Sequence, residues 1–162
     1  KFICFGVIFI GLHTGIHAAD QIYFDVNYGV YFYPGVGGKI GWMHYWNNEK
    51  VGFICDVHYY NNGFTDEGDW RESVKIAHNF GLAAGVVFNN MGMNGVLRTA
   101  EYIKLKGVYS VWDKPEILPF IDAGFKLNVF FTEKIALSLG VGSEILLILP
   151  YGYLSLGMTF TL

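Results

Sequence analysis

The chain is poor in charge and in cysteine, and both shortages exclude classes of protein. Charged residues make up 15% of the 162 residues, and the formal net charge is -3. A nucleic-acid-binding protein needs a basic patch, so we expect no nucleic-acid partner. Cys4 lies in the first apolar stretch, and Cys55 is the single cysteine in the rest of the sequence. We therefore expect no internal disulfide, no metal site and no cofactor.

Long apolar runs are also scarce, although 52% of the residues are apolar. After the N-terminal stretch, the most apolar run covers residues 145–149 and ends at Pro150. A membrane-spanning helix needs about 20 consecutive apolar residues. Helices and closed β-barrels are the two structures that satisfy every backbone hydrogen bond in lipid. A membrane protein with this sequence is therefore expected to be a closed barrel.

The N-terminal segment has the pattern of a secretory signal peptide. A lysine precedes an uncharged apolar stretch that ends near Leu12, and the small residues Ala18 and Ala19 follow. This order is typical of signal peptides. We expect residues 1–19 to be the signal peptide, with cleavage after Ala19 or, alternatively, after Ala18. Residues 20–162 would then form one transmembrane barrel domain, and an uncleaved anchor helix is the other interpretation of the segment.

Alternation with a period of two residues runs through the remaining chain. In the first segment, Ile22, Phe24 and Val26 alternate with Tyr23 and Asp25. Successive strand residues point to opposite faces, so each segment has one apolar face and one polar or small face. The pattern predicts an all-β fold, an eight-stranded antiparallel up-and-down transmembrane β-barrel. The predicted strands cover residues 22–32, 39–46, 51–60, 74–88, 103–111, 120–131, 135–144 and 153–162.

The connections between these strands partly fit a barrel with both termini on the periplasmic side. Short turns are predicted at residues 34–38, 47–50, 113–116 and 132–134, and a long external loop at 61–72. The connection at 89–99 is longer than a periplasmic turn should be. Either the fifth strand starts earlier than residue 103, or the strand count is wrong there.

Alternation does not by itself say which face meets solvent, because a soluble ligand-carrying barrel has its apolar face inside. Large side chains such as Phe24, Trp42 and Phe125 would overfill a small barrel, whereas Gly, Ala and Ser on the other face suit a narrow interior. Aromatic residues also gather near the predicted strand ends, where membrane interfaces would lie. These features favour the membrane interpretation over the soluble one.

Ten ionisable residues are predicted to face the barrel interior. Acids and lysines nearly cancel in this set, and eight strands leave room for little more than side chains. We therefore expect a structural polar plug, with a selective pore lining as the alternative. The residues are Asp25, Lys39, Asp56, His58, Lys75, Lys104, Lys106, Asp122, Lys126 and Glu144.

Two stretches resemble known outer-membrane barrels. Gly157, Phe160 and Leu162 fall where the C-terminal assembly signal of such barrels has Gly, an aromatic and a final aromatic, although Leu162 replaces the last one. Residues 119–124 are similar to a strand common in small barrels of the OmpW, OmpX and OmpA type. The resemblance implies a bacterial outer-membrane location, lipid and the barrel-assembly machinery as partners, and a monomer.

The preferred resemblance is to OmpW-like proteins, which implies passive uptake of small hydrophobic molecules. Met43, Ile54 and Phe120 interrupt the polar inner face and would fit such a path. The alternative is an OmpX-like structural or adhesion barrel that binds partners through the loop at 61–72, where Phe64 and Trp70 are the expected contacts.

An enzyme is the least favoured interpretation. Some eight-stranded barrels modify lipids, and such chemistry needs a nucleophile oriented by a histidine and a carboxylate. His58 with Ser73 or Ser110 is the candidate set, but no spacing selects a triad. His44 and His78 fall on the lipid-facing side of their strands. We expect no enzymatic activity.

Overall fold

Every strand pairs in antiparallel fashion with the next one along the chain, and the last pairs with the first. This computed structural model describes residues 19–30, 34–46, 50–64, 75–91, 96–111, 116–146 and 149–162. The strands are β1 (Ala19–Val30), β2 (Pro34–Tyr45), β3 (Val51–Phe64), β4 (Lys75–Met91), β5 (Leu97–Val111), β6 (Glu116–Phe130), β7 (Ile135–Leu146) and β8 (Leu149–Thr161). Within these ranges no helix is both long and apolar enough to cross a membrane.

The predicted fold class is confirmed: the described strands form a closed eight-stranded antiparallel barrel. Strands β1 and β8 close it with a register that runs from Gln21 opposite Thr161 to Val30 opposite Gly152. The alternation also points in the predicted direction. Asp25 is 4% exposed, whereas Phe24 beside it is 46% exposed. The apolar face therefore lies on the outside, and the polar face fills the interior.

The prediction that residues 34–38 form a turn is wrong. These residues belong to β2, and Gly37 pairs with Asn27 of β1 and Tyr60 of β3. A side chain at Gly37 would collide with the Tyr60 ring and the Tyr59 backbone. Gly37 thus serves close packing inside the barrel, so the turn-like composition of this segment was misleading.

The long connection predicted at 89–99 is also corrected. Strand β4 continues to Met91 and β5 begins at Leu97, which leaves a connection of ordinary length. The early part of β5 escaped detection because Glu101 is an exposed charged residue on the outward face, where the pattern requires an apolar one. Its strand neighbours are Phe88 and Phe125.

Three more boundaries differ from the prediction, all at the end of the barrel away from the termini. Residues 61–64 extend β3 instead of starting a loop, so Phe64 is a strand residue that pairs with Lys75. Strand β6 starts at Glu116, within the predicted turn, and β8 starts at Leu149, before Pro150. Trp70 and the rest of the predicted loop lie outside the described residues, as does the expected signal peptide apart from Ala19.

Inside the barrel, large side chains lie over glycines of the neighbouring strand. The Tyr23 ring covers Gly41, the Tyr102 hydroxyl lies over Gly124, and a methyl group at either glycine would collide with the tyrosine. In both pairs, the tyrosine and the glycine stand directly opposite each other on adjacent strands. Because an eight-stranded barrel is barely wide enough for side chains, each bulky group needs an opposite position with none.

Gly124→Ala should destabilise the barrel, because the new methyl group overlaps the buried Tyr102 side chain. Overpacking of this kind costs about 1–3 kcal/mol. Unfolding in urea, followed by tryptophan fluorescence in detergent micelles, measures the change. Gly107→Ala is the matched control, since no atom lies near its added methyl group. Equal stability of the two variants would contradict the packing argument.

Candidate functional site

The barrel interior gathers nearly all of the predicted inward-facing ionisable residues. Nine of the ten are buried: Asp25, Lys39, Asp56, His58, Lys104, Lys106, Asp122, Lys126 and Glu144. The tenth, Lys75, lies in β4 opposite Phe64, and its side chain falls outside what the structure describes. Alternation therefore placed these side chains on the correct face.

Lys104 is the central cation of the interior. Its ammonium group lies 2.7 Å from Asp56 Oδ2 and 2.8 Å from Asp122 Oδ2, so one lysine joins carboxylates of β3 and β6. All three side chains are buried. Charge-assisted hydrogen bonds of this length are the strong ones in proteins, and they become stronger where water is excluded.

Tyrosine hydroxyls complete the coordination of these two carboxylates. Tyr23 donates to Asp56 Oδ2 at 2.8 Å, and Tyr153 donates to Asp122 Oδ1 at 2.7 Å. The Tyr102 hydroxyl also hydrogen-bonds to Tyr153. Since the Tyr153 proton goes to Asp122, Tyr102 is the donor in this bond. The result is a continuous network across the barrel.

A second cluster forms around Asp25 of β1. The Lys126 ammonium lies 2.8 Å from Asp25 Oδ2 and 3.8 Å from the centre of the Tyr23 ring. Lys39 approaches the same carboxylate at 3.6 Å and lies 4.8 Å from the Tyr153 ring. Aromatic faces attract cations when both are shielded from water. The tyrosines thus hold lysines as well as aspartates.

The third cluster lies towards the end of the barrel opposite the termini. Lys106 pairs with Glu144, and His58 Nδ1 lies 3.5 Å from Asp56 Oδ1. The free space beside these residues is a cavity of about 10 Å³, bordered also by Asn27. This volume holds about one water molecule. The described interior is filled by side chains at this level.

Below the lysine–carboxylate clusters, on the side of the termini, the interior is first apolar and then polar, and there the Arg98 guanidinium lies 4.8 Å from the centre of the Phe130 ring. Met43, Ile54 and Tyr45 are almost completely buried in the apolar part. Further down, Ser138 donates to Asn128 at 2.6 Å and contacts the Thr159 hydroxyl at 2.7 Å. Sequence analysis predicted the inward positions of Met43 and Ile54.

Sequence analysis missed Tyr23, Tyr102 and Tyr153 as members of the network. All three stand on the inner face of their strands, so alternation places them correctly. The available signal was their position opposite inner-face glycines, which makes room for a ring. That signal requires the strand register, which the sequence alone does not provide.

The lysines and carboxylates of the described interior balance. Four buried lysines stand against four buried carboxylates, and the buried His58 and the partly buried Arg98 are the other basic side chains on the inner face. An unpaired buried charge is costly, whereas a paired and hydrogen-bonded one is tolerated. The arrangement fits a structural plug.

The candidate catalytic set is not brought together in the described part of the chain. His58 contacts Asp56 and packs over Gly81, whereas Ser110 is near the end of β5 and Ser73 lies outside the described ranges. In the described part of the chain, no cluster of three histidine, cysteine or acidic residues has the arrangement of a metal site.

The outer surface is apolar in the middle and carries aromatic residues near both ends. On the side of the termini, Trp42 packs beside His44, whose Nδ1 lies 2.8 Å from Asp20 Oδ1. At the other end, the Tyr59 hydroxyl hydrogen-bonds to His78 Nδ1 at 2.7 Å. His44 and His78 thus stand on the outward face, as predicted.

A barrel of this topology, with an apolar outside and a charge-balanced inside, has known structural counterparts. The Ail protein of Yersinia pestis, solved with the heparin analogue sucrose octasulfate, has 12% identity and a TM-score of 0.59, covering 90% of this chain and 97% of Ail. Neisserial surface protein A has 11% identity and a TM-score of 0.62, with coverages of 88% and 96%. The fold is that of small outer-membrane β-barrels.

A further counterpart is the N-terminal β-barrel domain of Pseudomonas aeruginosa OprF. It has 16% identity and a TM-score of 0.53, and the match covers 88% of this chain and 97% of that domain. No protein-family model and no curated protein sequence matches the chain. At these identities, the likeness establishes the fold and leaves the function open.

The residues of the predicted assembly signal occupy different environments in this outer-membrane barrel fold. Gly157 lies under Asp25, Phe160 packs edge-on against Phe24 at 6.0 Å, and Leu162 is exposed. The Leu162 amide donates to the Asp20 carbonyl at 2.9 Å, so the last residue still belongs to the closing seam. Their role in assembly stays a prediction.

Lys104→Met should destabilise the barrel strongly, because it leaves Asp56 and Asp122 buried with no shared cation between them. Removing one partner of a buried ion pair costs about 3–5 kcal/mol. The midpoint of urea unfolding in micelles measures the loss. Lys134→Met, at an exposed turn, is the control and should change little. An unchanged midpoint for Lys104→Met would show that the network does not stabilise the fold.

Proposed function

We propose that this protein is a non-enzymatic, monomeric barrel of the bacterial outer membrane that presents its extracellular loops to a partner. The observation that carries the proposal is the filled interior. Lys104, Asp56 and Asp122 cross-link the barrel at its centre, and the space above them holds about one water molecule. A barrel of this kind serves as a stable membrane support for what lies outside it.

The membrane location is supported by the outward face. Leu82, Ile103 and Leu105 are each more than half exposed at the middle of their strands. Monomeric soluble proteins rarely expose a continuous apolar surface of this extent. Aromatic side chains towards both ends suit the two interfaces of a bilayer. The fold shared with outer-membrane barrels supports the same location.

The OmpW-like function, passive uptake of small hydrophobic molecules, has less support. It needs a path past the central charges. Met43 and Ile54, which were candidates for such a path, are 0% and 1% exposed, and they pack in an apolar layer. Phe120 is partly exposed and lies 6.5 Å from the Tyr151 ring, near the outer mouth. The structural and adhesion alternative is therefore the better proposal.

The β3–β4 hairpin is the part proposed to meet the partner. Its pairing continues to Phe64 opposite Lys75, beyond the last pair of β3 with β2, which is Asn62 opposite Gly35. The residues between the two strands include Asp66, Glu67, Asp69 and Glu72 against one arginine. An acidic loop favours a basic partner, because opposite charges steer association. Phe64 and Trp70 would add apolar contact.

The charge of this loop sets the proposed partner apart from the ligand named for Ail. That structure contains a heparin analogue, sucrose octasulfate, which is strongly anionic. The acidic residues between β3 and β4 would repel such a ligand. The partner class proposed for this chain is a basic peptide or protein surface.

We expect refolded protein to insert into bilayers without opening a pore. We expect a band that shifts on boiling in SDS gels and co-flotation with vesicles, because a closed barrel in lipid has no unpaired strand edges. Planar bilayers should carry no steady current above the protein-free level. Stable stepwise increases in current, proportional to voltage, would refute the filled interior. A chain that remains in the soluble fraction would refute the membrane location.

Neutralising the loop should weaken binding of a basic partner. The change is Asp66→Asn, Glu67→Gln, Asp69→Asn and Glu72→Gln together, and the probe is a lysine-rich peptide titrated against barrels in micelles. We expect weaker binding and a flatter dependence on salt, since charge attraction is screened. Glu133→Gln, in the turn at the other end of the barrel, is the control. Equal binding of the peptide by the wild type, the neutralised loop variant and Glu133→Gln would exclude the loop as the contact.

A further inference from the structure

A large groove lies on the outer wall of the barrel, where strands β8, β1, β2, β3 and β4 pass side by side. Its volume is about 720 Å³, and it is open along one side. Volumes of roughly 300–1,000 Å³ are usual for sites that hold small organic ligands. The wall side chains are mainly apolar, with Phe24, Val26, Ile40, Tyr59 and Phe80 among them.

The groove exists because one outward position has no side chain. Gly38 of β2 stands between Val36 and Ile40, which are 54% and 52% exposed. Its strand neighbours on the outer face are Val26 of β1 and Tyr59 of β3. A methyl group at Gly38 would meet only the Asp25 carbonyl oxygen, at the ordinary contact distance of 3.6 Å. The glycine is therefore not required by the packing of the barrel.

This separates Gly38 from the glycines of the interior. Gly37 and Gly41, its neighbours on the inner face of the same strand, are covered by tyrosine rings and have no room for a side chain. Gly38 has that room, yet the position is open. The missing side chain leaves a recess among apolar neighbours on the outer face.

A polar pair adjoins the groove on the side away from the termini: Tyr59 lines the groove, and His78 lies next to Tyr59. The Phe80 ring lies 5.1 Å from that of Tyr59, and His78 stacks on Tyr59 at 6.0 Å. The Tyr59 hydroxyl meets His78 Nδ1 at 2.7 Å. With the phenol as donor, the imidazole carries its proton on Nε2, and a protonated imidazole does so as well. His78 is exposed, so this N–H faces the surroundings.

We infer that the groove binds one phosphate-bearing membrane lipid, with an acyl chain in the recess at Gly38 and the phosphate on His78. An acyl chain fits an open apolar channel in a wall that already faces lipid. The N–H of His78 supplies a donor where the chain ends and the headgroup begins. Tyr59 holds the imidazole in place from below. This inference rests on the proposed membrane location.

Native mass spectrometry of the refolded full-length barrel in a neutral detergent tests the site. The probes are dioleoyl phosphatidic acid and dioleoylglycerol, which have the same acyl chains and differ in the phosphate. Wild type should form a one-to-one adduct with phosphatidic acid at about tenfold lower concentration than with dioleoylglycerol. A hydrogen bond to a charged group is worth about that ratio.

Two variants separate the apolar recess from the donor. Gly38→Leu fills the recess and should abolish the adducts of both lipids, whereas Gly107→Leu, at an outward glycine of β5 away from the groove, should leave them unchanged. His78→Phe keeps the ring and should remove only the preference for phosphatidic acid. Adducts of Gly38→Leu equal to wild type would overturn the site, and so would a full preference in His78→Phe.

Three further results have a defined meaning. A dimer in wild type that disappears in Gly38→Leu would make a second copy of the chain the occupant and overturn the lipid. If Gly38→Leu fails to fold, as judged by the boiling shift, the lipid preference of His78→Phe decides instead. Loss of the preference for phosphatidic acid supports the site, and a full preference overturns it. A barrel that floats with vesicles but binds no lipid at the groove refutes this inference alone, whereas one that does not float refutes the membrane location.

Discussion

The ion cluster of Lys104, Asp56 and Asp122 is the interaction on which the rest of the barrel depends. These residues come from β5, β3 and β6, so their contact fixes strands that are not all neighbours in the sheet. The main-chain hydrogen bonds of a barrel hold adjacent strands together but do not prevent the wall from flattening. A cation held at 2.7 Å and 2.8 Å from two carboxylates works across the interior and opposes that deformation.

Burial strengthens the attraction between the charges of this cluster and makes any unpaired charge in it costly. Charges inside a barrel lose the water that would stabilise them, so each one must be paired and hydrogen-bonded. Asp56 and Asp122 meet this requirement with a lysine and one tyrosine hydroxyl each. The tyrosines in turn need space, which inner-face glycines of the neighbouring strands provide. The ion pairs, the tyrosine rings and the glycines opposite these rings thus depend on one another, and a change in one of them disturbs the packing of the other two.

Alternation predicts which side of the wall a residue occupies, but it does not predict at which level along the barrel axis the residue lies. The inward positions of Asp25, Lys104 and Glu144 followed from the period of two, because a shift of one residue would have placed them on the exposed apolar face. Contact between Lys104 and Asp56 depends on the register of β3, β4 and β5 together, since the two residues are 48 positions apart in the chain. No local pattern contains that information. The sequence therefore predicts the lysines and carboxylates of the interior network and not their pairs.

Local composition failed where a residue type has two uses. The glycines at 34–38 suggested a turn, but in β2 Gly37 makes room for the Tyr60 side chain. Glu101 interrupts the apolar alternation and placed the predicted start of β5 too late, but it is an exposed residue within the strand. In both cases the requirement for closure decided the outcome, because a shorter strand would have left the backbone groups of its neighbours unpaired along the wall.

The same competition explains why the inside and the outside of this barrel carry different capacities for binding. Interior glycines such as Gly41, Gly124 and Gly142 lie under tyrosine side chains, and the cavity beside Lys106 and Glu144 has a volume of only about 10 Å³. On the outer wall, Gly38 has room for a side chain and is one of the residues that line a groove of about 720 Å³. An eight-stranded barrel that fills its interior with paired charges and rings thus leaves most room for changes in side-chain volume on its outer wall, which the charge network does not reach.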